Sequence, residues 1–258
     1  MLKQIIETPT PSIGLVIGSY GSPAYMHLQL ASWKHLYPTI PLLIHDDSSN
    51  ESDQIANLCQ AYGASFYKTE KREGHQEGDL SACIKGLEFG RDNKVDIMVK
   101  LSRTWVPLTN FVPSLQQVAY ETQYATYSNR CESCNYRFRT ECIGWHVPTY
   151  VEKGHLDKMK NGLRLRSQSW NYMEIYLHHI AEDVVIKSTC FANVRYRKSE
   201  NRHHEYLHYG IWDWMDDDCC KQNNRWIWHR RNSPLDYHKL SLFYGLSYAM
   251  EAFENPPY

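Results

Sequence analysis

Long apolar runs are missing from this chain. The longest, such as Ile13 to Ile17, fall far short of the roughly twenty residues that a membrane-crossing helix needs. The opening Met-Leu-Lys-Gln-Ile-Ile-Glu-Thr-Pro-Thr-Pro contains no h-region, so no secretory signal is visible and the expectation is a soluble, cytoplasmic protein. An excess of one charge is missing too. Lys and Arg number 28 against 29 Asp and Glu in 258 residues, which removes the electrostatic warrant for a non-specific nucleic-acid binder. No P-loop, no Rossmann G-x-G-x-x-G and no G-x-S-x-G elbow occurs, and these absences weaken kinase, dehydrogenase and hydrolase readings. There is no internal repeat, and no low-complexity run beyond Asp216-Asp217-Asp218. With 42% hydrophobic and 22% charged residues, a disordered or fibrous chain is excluded, and the length can bury a full core.

Cysteine is present but poorly organised. Eight cysteines (Cys59, Cys83, Cys131, Cys134, Cys142, Cys190, Cys219 and Cys220) include one C-x-x-C pair and no second pair at conventional spacing. Ordinary reduced thiols are expected, with structural zinc on Cys131 and Cys134 plus Cys219 and Cys220, or a histidine, as the sharper alternative. Aromatic residues say more. Tyr numbers 19 and Trp 8, and Trp212, Trp214, Trp226 and Trp228 crowd into one C-terminal stretch. Such side chains suit ligand walls as well as packing.

The first ninety residues alternate between strand and helix signals. Ile13 to Ile17 reads as a buried strand closed by Gly18-Ser19-Tyr20-Gly21. Ser22-Pro23 then predicts an N-cap with Pro at the first helical position, and Pro38 stops that helix. Pro41 to Ile44 is a second strand, running into His45-Asp46-Asp47. Ser48 and Glu51 form a predicted capping box for a helix that ends at Gly63. Ala64 to Tyr67 is a third strand. Lys68 to Gly78 reads as a charged, mobile loop. Asp79 is placed as the cap of a helix ending at Gly90, and Asp96 to Leu101 is a fourth strand. Residues 102–107 look like a strand leaving the sheet. Beyond Pro113 the expectations are a helix over 115–120 that leads to residues 124–127, an irregular Cys-rich stretch to Arg139, a strand over 140–145, helices over 148–159 and 169–180, and one or two strands over 184–196. The repeated alternation argues for a mostly parallel sheet covered on both sides.

Taken in order, these signals resemble a GT-A-fold nucleotide-sugar glycosyltransferase of the inverting, family-two kind. The turn Ile44-His45-Asp46-Asp47-Ser48-Ser49 stands where such enzymes carry V-D-D-G-S. The resemblance covers residues 12 to 110, and more loosely 125 to 196. It implies an α/β, GT-A-like fold with a mostly parallel twisted sheet, helices on both faces and an aromatic-rich C-terminal extension. Residues 1–196 would be the catalytic domain, and 197–258 an aromatic and His-rich extension packed on it. The implied partners are a nucleoside-diphosphate-sugar donor and a glycan or glycoconjugate acceptor.

Ligands of open α/β sheets bind beyond the carboxyl ends of the strands. Ser19, Tyr20, Asp46, Asp47, Asp79, Lys100 and Ser102 are therefore the candidate donor-binding residues. The family's metal-holding D-x-D is missing, because the chain reads Lys100-Leu101-Ser102-Arg103-Thr104 at that place. Mn²⁺ or Mg²⁺ is thus unsupported by motif, and Arg103 is the candidate to neutralise the diphosphate instead, helped by Lys100. A metal held by His203, His204, His208 or Asp216 to Asp218 is another option. Inverting transfer also needs a base for the acceptor hydroxyl, for which Glu174, Glu141 and Asp183 are the candidates, in that order. Competing readings are a catalytically degenerate module that binds a glycan or protein, and a nucleotidyltransferase.

Overall fold

The structure, a computed structural model, describes residues 10–107, 112–121, 126–128, 142–164, 173–180, 186–188, 206–208 and 234–254. Its first half alternates as expected: β1 (Ile13–Ser19), α1 (Pro23–Leu36), β2 (Leu42–Asp46), α2 (Ser52–Tyr62), β3 (Ser65–Lys68), α3 (His75–Asp92) and β4 (Ile97–Ser102). A short β5 (Trp105–Pro107) follows, then α4 (Val112–Glu121), β6 (Thr126–Ser128) and β7 (Cys142–His146). The remainder comprises α5 (Val147–Glu152), α6 (His155–Arg164), α7 (Met173–Ile180), β8 (Ile186–Ser188), β9 (Tyr206–His208) and α8 (Pro234–Phe243), with a 3-10 turn at Met250–Phe253.

Seven strands form one sheet in the order β3-β2-β1-β4-β7-β6-β8. Only β7 runs antiparallel to its neighbours. The α/β class and the mostly parallel sheet are therefore as expected. Both faces are covered, which is why the central strands are apolar without interruption rather than alternating. Leu15 and Ile17 of β1 pack with Trp33 of α1 and Ile55 of α2. Val16, pointing the other way, packs with Leu80, Ile84 and Leu87 of α3. Each of these fully buried side chains contributes roughly 2 kcal/mol. On that second face α3 lies tight on the sheet: a Cβ at Gly86 would stand 2.4 Å from Cγ1 of Val16.

Several local expectations are corrected. The Ser48–Glu51 capping box does not form: α2 starts at Ser52, with Glu51 at the cap position and making no side-chain cap bond, while Ser48 takes a positive φ of 54°. Ser22 sits at the α1 cap without a side-chain bond, although Pro23 does open the helix. Helix α3 begins at His75, inside the segment read as loop, and runs past Gly90 to Asp92. The helix expected over 148–159 is two helices, broken at Gly154, whose φ is +71°. The strand expected to leave the sheet does so, and β5 pairs with β9 in a separate two-stranded sheet. Cys59, Cys83 and Cys142 are buried free thiols, with burial pushing Cys59 up to about 12. Cys131, Cys134, Cys190, Cys219 and Cys220 lie outside the described residues, as do Trp212, Trp214, Trp226 and Trp228. No described helix is long and apolar enough to cross a membrane.

Candidate functional site

From β1 the chain winds outward through β2 and β3, then returns to place β4 on the other side of β1. The strand order reverses there, and the carboxyl ends of β1 and β4 are where open α/β sheets bind their ligands. Ser19 and Tyr20 end β1, Asp46 and Asp47 end β2, and Ser102 and Arg103 end β4. In register, Ser19 stands beside Asp46 and Gly18 beside Ser102.

Backbone and side-chain bonds tie these ends together. The Asp47 amide donates to the Ser19 carbonyl at 2.8 Å, and Arg103 Nη1 donates to the carbonyl of the next residue, Tyr20, at 2.9 Å. Arg72 sets its guanidinium 4.0 Å from the centre of the Tyr20 ring, a cation–π distance. Tyr20 is thus flanked by two arginines. Arg72 was absent from the sequence-derived candidates because its loop carries no family motif. The available signal was its place, in the loop that leaves the carboxyl end of β3.

The carboxylates serve mostly to build the rim. Asp46 is fully buried and accepts from the Ser49 amide at 2.9 Å, the Ser49 hydroxyl at 3.0 Å and the Ser52 hydroxyl. Asp47, also buried, accepts from the amides of Glu73 at 2.7 Å and Gly74 at 2.9 Å and from the Thr69 hydroxyl at 3.3 Å. Asp47 therefore pins, from another loop, the two residues that lead into α3, where a carboxylate also suits the positive end of the helix. Gly78 allows this approach, since a Cβ there would lie 3.0 Å from Asp47 Oδ2. Asp79 caps nothing. It lies one turn into α3 and accepts from the ammonium of the buried Lys100 at 2.6 Å.

A divalent metal does not suit these groups. At the end of β4 the nearest carboxylate described, Asp79, already holds Lys100, and Arg103 adds a second positive charge. Oxygen-rich cation sites need several free carboxylates or carbonyls, so this donor set does not fit one. No cluster of three or more His, Cys, Asp or Glu suited to a metal is found among the described residues.

Glu174 lies in the first turn of α7. Glu141, Asp183, His203, His204 and Asp216 to Asp218 lie outside the described residues, and His208 falls in β9. A cavity of about 270 Å³ lined by Gly90, Val95, Val147 and Val151 lies at the opposite edge of the sheet, away from the strand ends that carry Ser19, Asp46, Asp47 and Ser102.

His45, next to Asp46 on β2, gives this rim a pH dependence. Burial holds its imidazole down at about 4, against the partial opposition of Asp47 and Asp46. Its Nε2 lies 3.0 Å from the Ser81 hydroxyl and its ring stacks on Tyr67. As pH falls through 6.5 the unfolded chain takes up a proton that the folded chain refuses until about 4, so stability drops across that window. The expected loss is about 3 kcal/mol. Denaturant titrations at pH 7 and pH 4 should show a smaller drop for His45→Gln than for the parent, and an equal drop would contradict the assignment.

No protein-family model matches the chain, and no curated protein matches it by sequence. Its fold is similar to solved structures of nucleotide-sugar glycosyltransferases and of a nucleotidyltransferase. The mannosyltransferase PcManGT from Pyrobaculum calidifontis in complex with GDP-Man and Mn²⁺ is 10% identical, over 57% of this chain and 48% of that one, with a TM-score of 0.44. A cytidylyltransferase from Leptospira borgpetersenii is 13% identical over 68% and 74%, with a TM-score of 0.42. S. aureus TarS 1–349 in complex with UDP is 10% identical over 68% and 56%, with a TM-score of 0.49. The chain thus spans about half the length of the first and third of these. At such identities the likeness concerns the path of the chain alone.

Proposed function

We propose that this chain transfers a sugar from a nucleoside-diphosphate-sugar donor to the hydroxyl of a glycan or glycoconjugate, with inversion and without a metal. The observation that carries the reading is Tyr20 flanked by Arg72 and Arg103 at the point where the strand order reverses. An aromatic face beside two guanidinium groups suits a flat base followed by a diphosphate. In the reaction the bond from the anomeric carbon to the diphosphate oxygen breaks as the acceptor oxygen bonds to that carbon. Arg103 receives the charge that develops on the departing diphosphate. The acceptor proton passes to a carboxylate, with Glu174 the first candidate and Glu141 and Asp183 behind it. Asp46, Asp47, Asp79 and Lys100 hold the loops in place, as does Ser19, whose buried hydroxyl donates to the Gly21 carbonyl at 3.0 Å, and Ser102 Oγ is buried rather than turned to the donor.

A thermal-shift screen against UDP, GDP, CDP, CMP and their sugars in EDTA tests this. One nucleotide at a hundredfold excess over its Kd should raise Tm by about 5–10 °C, and donor turnover should follow. If none of them stabilises the protein, the proposal fails. Stabilisation without turnover would favour the degenerate binding module, which the carboxylates already engaged within the rim make the second reading. Strict dependence on added Mn²⁺ would remove Arg103 from its role.

A further inference from the structure

Helix α1 packs into the core with Leu28 and Leu30, yet it also buries a primary amide and a hydroxyl there, on Gln29 and Ser32. Both face one stretch of backbone. Gln29 Nε2 lies 3.2 Å from the Ser102 carbonyl, 3.1 Å from that of Arg103 and 2.7 Å from that of Trp105. The Tyr237 hydroxyl, arriving from α8, donates to the Thr104 carbonyl at 2.8 Å. Ser32 Oγ donates to the Pro107 carbonyl at 2.6 Å. Every carbonyl from Ser102 to Trp105 therefore faces a side-chain donor. These four residues make the turn between β4 and β5, which belong to different sheets.

Three carbonyls around one end of an amide leave a single sensible orientation, with the NH₂ toward them. Gln29 Oε1 then has no partner, and that cost is accepted where a leucine would have packed without one. Tyr237 is itself fixed by Tyr25 and Phe253, with ring centroids 4.9 and 6.0 Å away. The turn is thus gripped from two elements, one of them more than 130 residues away in sequence. Its one long charged side chain is Arg103.

We infer that Gln29, with Tyr237, is a positioning residue that fixes the Arg103 turn so that the guanidinium meets the diphosphate of a bound nucleotide. Neither residue touches the ligand. Both act through backbone carbonyls, and the inference rests on the nucleotide reading above.

The test is calorimetric titration of the full chain with whichever nucleoside diphosphate stabilises it and with the matching nucleoside. In Gln29→Leu, diphosphate affinity should fall about tenfold while nucleoside affinity stays unchanged. In an Arg103→Ala background Gln29→Leu should have no further effect on diphosphate affinity. A merely structural role would lower both affinities together, or would add to the loss from Arg103→Ala, and either result overturns the inference. If Gln29→Leu does not fold, Tyr237→Phe keeps the aromatic packing and removes only the bond to Thr104. It should then lower diphosphate affinity about threefold in the same selective way, and unchanged affinity would overturn the inference. A parent protein that binds no diphosphate contradicts the nucleotide reading itself, a separate failure seen before any variant is made.

Discussion

Arg103→Ala is expected to lower donor turnover by roughly 10²–10³-fold, the usual loss when one preorganised donor to a developing anion is removed. The argument is one of charge balance. A departing diphosphate needs a partner, and the end of β4 offers no described carboxylate free to hold a metal, since Asp79 is on Lys100 at 2.6 Å. Lys100 is almost completely buried, so Arg103 is the cation of that strand end able to turn toward a ligand. One of its bonds, to the Tyr20 carbonyl at 2.9 Å, keeps it at the rim. Arg103→Lys should recover only part of the rate, because an ammonium lacks the two-pronged geometry of guanidinium. Steady-state kinetics in EDTA measure both. Full activity in Arg103→Ala would contradict the assignment.

The second large effect is on stability. Asp46→Ala should destabilise the protein by about 3 kcal/mol, lowering Tm by about 6–12 °C. The carboxylate is fully buried and accepts from the Ser49 amide and from the hydroxyls of Ser49 and Ser52. Removing it leaves the buried Ser49 amide and hydroxyl without this acceptor, while the Ser52 hydroxyl keeps the Ser49 carbonyl at 2.7 Å. It also frees the turn in which Ser48 adopts its positive φ, and that turn follows directly on Asp47, which holds the approach to α3. Donor affinity should therefore fall along with stability. Thermal denaturation of Asp46→Ala decides the matter, and a Tm within a degree or two of the parent would contradict this account. Asp46→Asn, which keeps one acceptor oxygen, should lie between the two.

The sheet was readable in the chain because short apolar runs and helical spacing are local signals. Ile13 to Ile17, Leu42 to Ile44 and Ile97 to Leu101 became strands at nearly the expected places, and the Asp46-Asp47 turn landed at the carboxyl edge. The errors concern partners distant in sequence. Asp47 bonds the amides of residues 73 and 74, so the approach to α3, which begins at His75, is fixed from another loop. A reading of neighbouring residues looked for the cap nearby and chose Asp79. The pairing of Asp79 with Lys100 and the grip of Gln29 and Tyr237 on the Arg103 turn are likewise tertiary, and no spacing rule brings residues 29, 104 and 237 together. Arg72 was hidden differently: it lies in a charged loop with no pattern, and only its distance to Tyr20 singles it out.

The central claim is that the rim at the carboxyl ends of β1 and β4 holds a nucleoside diphosphate against a guanidinium. Titration calorimetry in EDTA, comparing the diphosphate with its nucleoside on parent and Arg103→Ala proteins, addresses it most directly. The account predicts that the diphosphate binds the parent more tightly than the nucleoside by at least tenfold, and that this advantage disappears in Arg103→Ala. An advantage that survives the substitution, or one that arises only when Mn²⁺ is added, would contradict it.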